Sequence, residues 1–207
     1  MADGTGRPID KDDVDGVVAL MRSIGVHFAG SKADAVLRAI ARDGVQRPHF
    51  VTVFVTEHEQ TLGGLVVAFT RRAHYWREFP ARHPIAAARM AAHRLVRQLW
   101  RTRARAGRSA PVAKPVDPAV QQMWMDDRAD IAKVMYVGVD PRFRGAGLGY
   151  GLYRSFFRYL AGRGYRFCDA QVSEGNTAAI ALHRRFSFQF VDVPSGYFAR
   201  LDLRQTP

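Results

Sequence analysis

The residues best suited to chemistry lie in a glycine-rich run from Val139 to Gly149, which reads Val-Asp-Pro-Arg-Phe-Arg-Gly-Ala-Gly-Leu-Gly. A β-branched apolar segment precedes this run and a helical pattern follows it, so the glycines occupy a turn between a strand and a helix. Glycine lets the main chain approach a ligand, and the first amides of a helix are unpaired and partially positive. Arg142 and Arg144 add formal charge nearby. The run therefore predicts a site for an anion such as a pyrophosphate.

Other interpretations of this turn can be compared with its residues. A Walker loop requires Gly-Lys-Ser/Thr, which is absent, and a dinucleotide-binding G-x-G-x-x-G requires glycine where Tyr150 stands. The alternative is that these glycines only form the turn at the start of a helix and bind no ligand.

A second polar segment, from Glu174 to Phe188, follows the turn after one helix and one strand. Together the two segments resemble the GNAT superfamily of N-acetyltransferases. The family hallmark Arg/Gln-x-x-Gly-x-Gly/Ala is met by Arg144, Gly147 and Gly149, after a Val-x-Pro at Val139 and Pro141. The family pattern Asn-x-x-Ala-x-x-Leu-Tyr-x-x-x-Gly-Phe is approximated by Asn176, Ala179, Leu182, His183, Ser187 and Phe188. The resemblance covers about residues 131 to 193.

The resemblance implies an acyl-CoA co-substrate, an amine-bearing acceptor and no metal. Val137 and Val139 would contact the pantetheine arm where the fourth and fifth strands splay apart, and Asn176 would contact that arm or order the turn before its helix. The pyrophosphate would lie on Arg144, Gly145, Ala146, Gly147, Leu148 and Gly149. The implied reaction is direct attack by an amine on an acetyl or longer acyl thioester. Two alternatives are an acyl carrier protein as donor and a non-catalytic acyl-CoA-binding or regulatory module.

The residues for proton transfer depart from the family pattern. His183 stands where many relatives have a tyrosine that protonates the departing thiolate, and imidazolium is acidic enough for that step. Arg184 and Arg185 would disfavour its charged form, and a packed histidine is the alternative. Gln171 replaces a carboxylate that some relatives use as the base. Glu174 is the nearest remaining candidate, with water or a more distant acid as alternatives: Glu57, Glu59, Asp126, Asp127 or Asp130.

Hydrophobic periodicity predicts an α/β fold whose order of elements matches the family. The central sheet is expected to be mixed and mostly antiparallel, with helices on both faces and a helical insertion between the third and fourth strands. Helices are predicted over 10–23, 31–44, 147–161 and 177–186, with Ser31 as an N-cap and Gly44 as a stop. Strands are predicted over 49–56, 62–70, 131–139, 165–173, 188–193 and 197–203, the first two as a hairpin.

Length and composition indicate one domain over residues 1–207 with an insertion at about 71–130. No apolar run resembles a signal peptide or a membrane span, so a cytoplasmic location is expected. Cys168 is the single cysteine and lies in an apolar stretch, which favours a core side chain over a catalytic thiol.

The insertion carries most of the formal net charge of +12, because eleven arginines and one acid, Glu78, lie between Arg71 and Arg108. One predicted helix face carries apolar residues, namely Ile85, Ala88, Ala92, Leu95, Val96 and Leu99. Another carries Arg94, Arg97, Arg101, Arg105 and Arg108.

The apolar side could pack on the core or on a second subunit as a homodimer, and the arginines could bind an acidic protein. Nucleic acid is disfavoured because no binding motif is present. The insertion could also be a lid whose apolar walls are Trp76, Phe79, Trp100 and Trp124.

Overall fold

The structure is a computed structural model that describes residues 6–26, 34–105, 118, 126–194 and 196–205, without the side chains of 97–105. The strands in these ranges are β1 Gly6–Pro8, β2 Val51–His58, β3 Thr61–Phe69, β4 Ile131–Val139, β5 Phe167–Ser173, β6 Gln189–Val193 and β7 Gly196–Asp202. The helices are α1 Val14–Ser23, α2 Asp34–Gln46, α3 Arg72–Arg82, α4 Pro84–Arg105, α5 Leu148–Gly162 and α6 Thr177–Arg185, with short 3₁₀ turns at Pro141–Phe143 and Leu203–Gln205. None of the helices in the described part of the chain is long and apolar enough to cross a membrane.

The described strands form one seven-stranded sheet in the order β1-β2-β3-β4-β5-β7-β6. All neighbouring pairs are antiparallel except β4 and β5, which run parallel because α5 makes the connection between them. This confirms the predicted mixed, mostly antiparallel sheet with an insertion between the third and fourth strands.

Two hydrophobic clusters cover the two faces of the sheet. On one face, α1 and α2 pack on β2 and β3 through buried residues such as Met21, Leu37 and Ile40. On the other face, α5 packs on the centre of the sheet through Leu152 and Phe156, among others. The helix that follows the glycine-rich turn is therefore anchored in the core, and its first residues lie beside the end of β4.

Most sequence predictions of the element bounds lie within two residues of the observed bounds, and β4 is found over the predicted range. The stop predicted near Gly44 is two residues early, since α2 continues to Gln46. A Cβ atom at residue 44 would lie 2.7 Å from Val53 Cγ2, so this glycine allows α2 to approach β2 instead of ending the helix. The predicted N-cap, Ser31, lies outside the described residues.

The insertion is fastened to the first layer of helices by a buried carboxylate. Asp43 of α2 is 1% exposed and accepts hydrogen bonds from Tyr75 Oη at 2.7 Å, Arg82 Nη1 at 3.0 Å and His83 Nε2 at 3.0 Å. Tyr75 and Phe79 complete the contact as buried rings. Because three donors from α3 and its junction with α4 converge on one carboxylate, Asp43 fixes the position of α3 and the start of α4.

The apolar stripe of α4 points away from the core, so the prediction that it packs on the core is wrong. The helix buries Ala86 and Met90, whereas Ile85 is 70% exposed, Leu95 59% and Val96 50%. The lid walls are only partly described: Trp76 is half-buried, Phe79 is buried, and the side chains of Trp100 and Trp124 lie outside the described part. The acidic-partner and homodimer hypotheses stay predictions.

Replacement of Asp43 by Ala should lower the free energy of unfolding by about 3 kcal/mol, because it leaves Arg82 and the Tyr75 hydroxyl without their buried acceptor. Urea unfolding followed by circular dichroism measures the change. The matched control is Asp15→Ala, which removes an exposed ion pair with Arg38 and should cost less than about 1 kcal/mol. Equal effects of the two substitutions would show that Asp43 does not hold the insertion.

Candidate functional site

A gap between β4 and β5 forms the centre of the candidate site. The two strands pair only from Ile131 with Phe167 to Val134 with Ala170. On the other edge of β4, Val67 faces Tyr136 and Ala68 faces Val134, so Met135 is the extra residue of a β-bulge. The bulge bends β4 away from β5, and residues 135–139 are half-exposed. The expected splay of the fourth and fifth strands is therefore present.

Val137 and Val139 both lie in the separated half of β4. Their ladder partners are Val66 and Gly64 of β3, so the opposite edge of this half of β4 faces the gap and not β5. A strand edge of this kind can pair with an extended ligand through main-chain hydrogen bonds.

The turn after β4 begins with a side-chain hydrogen bond that sequence reasoning missed. The Asp140 carboxylate accepts from the Arg142 amide at 2.9 Å and from the Arg142 guanidinium at 3.1 Å through both oxygens. Arg142 thereby holds the pKa of Asp140 below its usual range. Its charge is already balanced by Asp140, so Arg144 is the better candidate to meet a ligand. The Asp-Pro-Arg sequence, with a short acceptor at the start of a turn, is the signal that could have predicted this.

The main chain of the turn presents a row of amides to solvent. Gly145 and Gly147 have φ of +86° and +80°, a conformation that a side chain disfavours. None of the six amides of residues 144–149 has a hydrogen-bond acceptor in the described part of the chain, and the first amides to find one are those of Tyr150 and Gly151, which donate to the Gly147 carbonyl. Residues 144–147 are exposed. Successive unpaired amides at a helix start form a concave site for an anion.

Arg144 lies at the edge of this row of amides. Its side chain is exposed and its Nε donates to the Val139 carbonyl at 3.4 Å, a long hydrogen bond that leaves the rest of the guanidinium open. Leu148, by contrast, is buried and anchors the first turn of α5. Ala146, Leu148 and Gly149 therefore contribute main-chain groups, whereas Arg144 also contributes a charge.

Asn176 caps the helix on the other side of the gap. Its Oδ1 accepts from the Ala179 amide at 3.1 Å, and the residue is the N-cap of α6. The oxygen is therefore used to order the helix start, which is the second of the two roles expected for this residue.

His183 lies in the core and not at the surface of the gap. It is 2% exposed, its Nδ1 lies 2.6 Å from the Ala179 carbonyl and its Nε2 lies 3.2 Å from Tyr153 Oη. Because a carbonyl only accepts, Nδ1 carries the proton and Nε2 accepts from the tyrosine hydroxyl. Burial lowers the pKa of His183, while the Ala179 carbonyl opposes the shift. The ring is neutral near pH 7 and both nitrogens are hydrogen-bonded.

The candidate bases lie in different surroundings. Glu174 and Gln171 are exposed on β5 and the turn after it. Glu57 pairs with Arg7 at 2.6 Å, on the far side of the sheet from β5, and Glu59 lies in the β2–β3 turn. Asp126 and Asp130 pair with Arg128, and Asp127 accepts from the Ala73 amide at the start of α3. The structure does not bring these carboxylates together.

A buried charged group on β4 was not selected by the sequence analysis. Lys133 is 3% exposed and faces Asp169 of β5, whose carboxylate is held by Arg200 at 2.7 Å through both oxygens. The available signal was a single lysine within the apolar run of β4, a position at which burial is costly.

Comparisons with known sequences find a family that this chain resembles. Residues 114–188 match the model of the Acetyltransferase (GNAT) family. An uncharacterised N-acetyltransferase of Methanocaldococcus jannaschii is 31% identical over 71 residues, which are 34% of this chain and 31% of the relative. A mycothiol acetyltransferase of Amycolatopsis mediterranei is 41% identical over 58 residues, which are 28% of this chain and 19% of the relative. The match thus covers less than a third of the length of either relative.

Solved structures show the same fold over nearly the whole chain. The PaiA N-acetyltransferase of Thermoplasma acidophilum, solved in complex with coenzyme A, aligns with a TM-score of 0.59 over 95% of this chain and 97% of its own, at 10% identity. The resemblance to the GNAT superfamily predicted from the sequence is confirmed by the family match and the shared fold.

Substitution of Gly147 by Ala should weaken the binding of CoA by about tenfold. A non-glycine residue at this positive φ costs about 1–2 kcal/mol, and the new methyl group would project into the open space in front of the amides. Calorimetric titration with CoA measures the change. Gly162→Ala is the control, since that glycine ends the same helix and a Cβ there meets nothing within 4 Å. Unchanged CoA affinity in Gly147→Ala would place the anion elsewhere.

Proposed function

We propose that this chain, which has the GNAT fold and matches the GNAT acetyltransferase family over residues 114–188, is an N-acyltransferase that moves an acetyl or longer acyl group from CoA to an amine. The observation that carries the proposal is the row of six unpaired amides at residues 144–149, directly after the separated half of β4. An extended thioester with a pyrophosphate at one end fits a strand edge that leads into an anion site. The two relatives, one named as an N-acetyltransferase and one as a mycothiol acetyltransferase, support a transferase.

The donor contacts follow from this arrangement. Residues 144–149 bind the pyrophosphate through their amides and the Arg144 guanidinium, while Val137 and Val139 pair with the pantetheine arm. Asn176 orders the start of α6 on the opposite side of the gap and supports this arm through the helix that it caps. The protein then contributes chiefly by positioning the thioester and the amine for direct attack.

CoA release tests the activity. Acetyl-CoA is incubated with a panel of amines that includes an arylamine, an amino sugar, a peptide with a free N-terminus and a lysine peptide, and the free thiol is measured. Cys168 is the only cysteine of the chain and is fully buried, so it should not react with the thiol reagent. We expect amine-dependent release that falls in the Gly147→Ala variant.

Three other outcomes would change or reject the proposal. Thermal stabilisation by acetyl-CoA without turnover would favour a non-catalytic acyl-CoA-binding module, an alternative motivated by the engaged His183 and by Gln171. Turnover from an acyl carrier protein but not from CoA would favour the carrier-protein donor, for which Arg89 and Arg94 on the exposed side of α4 would supply contacts. Failure of any CoA species to bind would reject the donor site.

The role of His183 as the acid stays a prediction, and its surroundings set the pH at which it can be tested. A lowered pKa means that imidazolium is present only in acid, below the ordinary value of about 6.5. His183→Phe should therefore reduce kcat by about 100-fold near pH 6, with a smaller loss at pH 8. Rates at saturating acetyl-CoA measure the effect, and Tyr153→Phe is the control that keeps the imidazole. If the loss is the same at both values, or absent, His183 is a packing residue. Glu174→Gln in the same assay tests the sequence prediction that Glu174 is the base, and an unchanged rate would remove it from the mechanism.

A further inference from the structure

Lys133 is the feature of β4 that the donor site leaves unexplained. It is one of only four lysines among the 31 basic residues of the chain, and it occupies a position that is 3% exposed. Elsewhere the chain pairs buried acids with arginine, as in Arg82 with Asp43 and Arg200 with Asp169. Arginine cannot release its proton in a protein, whereas a buried lysine can. The chemical difference between the two cations is therefore the ability to act as a base.

The side chain of Lys133 lies on the sheet face opposite α5. Its neighbours Ala132 and Val134 belong to the cluster beneath α5, and successive strand residues alternate between faces. Because of the bulge, Met135 and Tyr136 both pack against the other cluster and lie on the same face as Lys133. The turn that binds the donor leads into α5, so an acceptor would reach the thioester from the Lys133 face.

Lys133 also lies at the point where the strands separate. Its pair with Asp169 is the last but one before the gap opens, and Met135 is about 7 Å further along the strand. A lysine side chain is long enough to cover that distance. The residue is therefore buried directly beside the start of the gap, where an acceptor bound in the gap would lie next to it.

Charged groups from four elements surround this ammonium. Burial is the largest effect that lowers the pKa of Lys133, and Arg72 of α3 adds to it. Asp127, Asp169 and Asp126 act in the opposite direction. Asp169 is already neutralised by Arg200 of β7, and Asp127 accepts from the start of α3. The effects that lower the pKa of Lys133 exceed those that raise it, so its pKa lies below the usual range.

We propose that Lys133 is the general base of the acyl transfer, which rests on the function proposed above. Neutral Nζ takes one proton from the acceptor ammonium and becomes an ammonium itself. The freed amine forms a C–N bond with the thioester carbon, and the C–S bond breaks with its electron pair on sulfur. The second amine proton moves to the thiolate, so the products are an amide and CoA thiol, and Lys133 returns its proton to water.

Lysine NMR tests the titration without any acceptor. The protein is labelled with ¹³Cε-lysine, which gives four resonances, and the variants Lys11→Arg, Lys32→Arg and Lys114→Arg identify the fourth as Lys133. We expect this resonance to titrate clearly below the ordinary value of about 10.4 and to respond to added CoA more than the other three. Titration at or above the ordinary value, or no response to CoA, would overturn the proposal even if the protein is an active acyltransferase.

Kinetics of two Lys133 variants test the role in turnover, with acetyl-CoA and the panel amine that reacts. Lys133→Arg keeps the positive charge but removes the base, and it should lower kcat by about 100-fold without changing CoA affinity. Cooperative thermal melting checks that each variant folds. If Lys133→Arg does not fold, Lys133→Met replaces it, and this variant should lower kcat by a similar factor. The wild-type kcat should reach half of its plateau value at the pH of the NMR midpoint and level off above it.

The outcomes separate this inference from the proposed function. Lys133→Arg with a rate within threefold of wild type would show that the residue is only a buried cation. Lys11→Arg, an exposed lysine beside α1, should leave every rate unchanged. Lack of turnover in the wild type would reject the acyltransferase proposal itself, in which case a low NMR midpoint alone would not support a base.

Discussion

The early end of the β4–β5 ladder is the constraint on which the rest of the site depends. A parallel pair of strands in a sheet centre normally satisfies its main-chain groups along its length, yet this pair stops after four residues. The bulge at Met135 makes the separation compatible with an intact β3–β4 ladder, because it bends one edge of β4 while the other edge stays paired. The gap therefore keeps the hydrogen bonds between β3 and β4 and leaves the other edge of β4 for a ligand.

The turn and the gap depend on each other. If β4 stayed paired with β5, the unpaired amides of residues 144–149 would form only the start of a helix. A ligand whose anionic group bound there would have no groove for its remaining atoms. With the gap, the strand edge leads directly to the amides of residues 144–149. Asp140 balances Arg142, so mainly neutral amides and Arg144 face an anion in the proposed function. In that proposal, specificity for a thioester would come from the gap and affinity for its pyrophosphate from the turn.

Local features of this site could be predicted from the sequence, whereas contacts between distant residues could not. The glycines at positive φ, the start of α5 and the Asn176 cap all depend on neighbours within a few residues, so pattern and turn chemistry predict them. The continuation of α2 through Gly44 depends on Val53, and the burial of His183 depends on Tyr153 and the Ala179 carbonyl. The outward direction of the α4 stripe also depends on a tertiary contact, the three hydrogen bonds to Asp43. No periodicity in α4 itself contains that information.

Two buried bases with lowered pKa lie on opposite faces of the sheet, and the number of protons in the reaction distinguishes them. An ammonium loses two protons on becoming an amide, while the thiolate needs only one. A base that removes the first is indispensable, but the second can pass from the attacking nitrogen to the leaving sulfur without a separate acid. Lys133 lies beside the start of the gap on the face from which we propose that the acceptor approaches, and His183 lies beneath α5 with both nitrogens engaged. The replacement of the family tyrosine by a histidine in the core is therefore compatible with turnover, provided that a base remains on the other face.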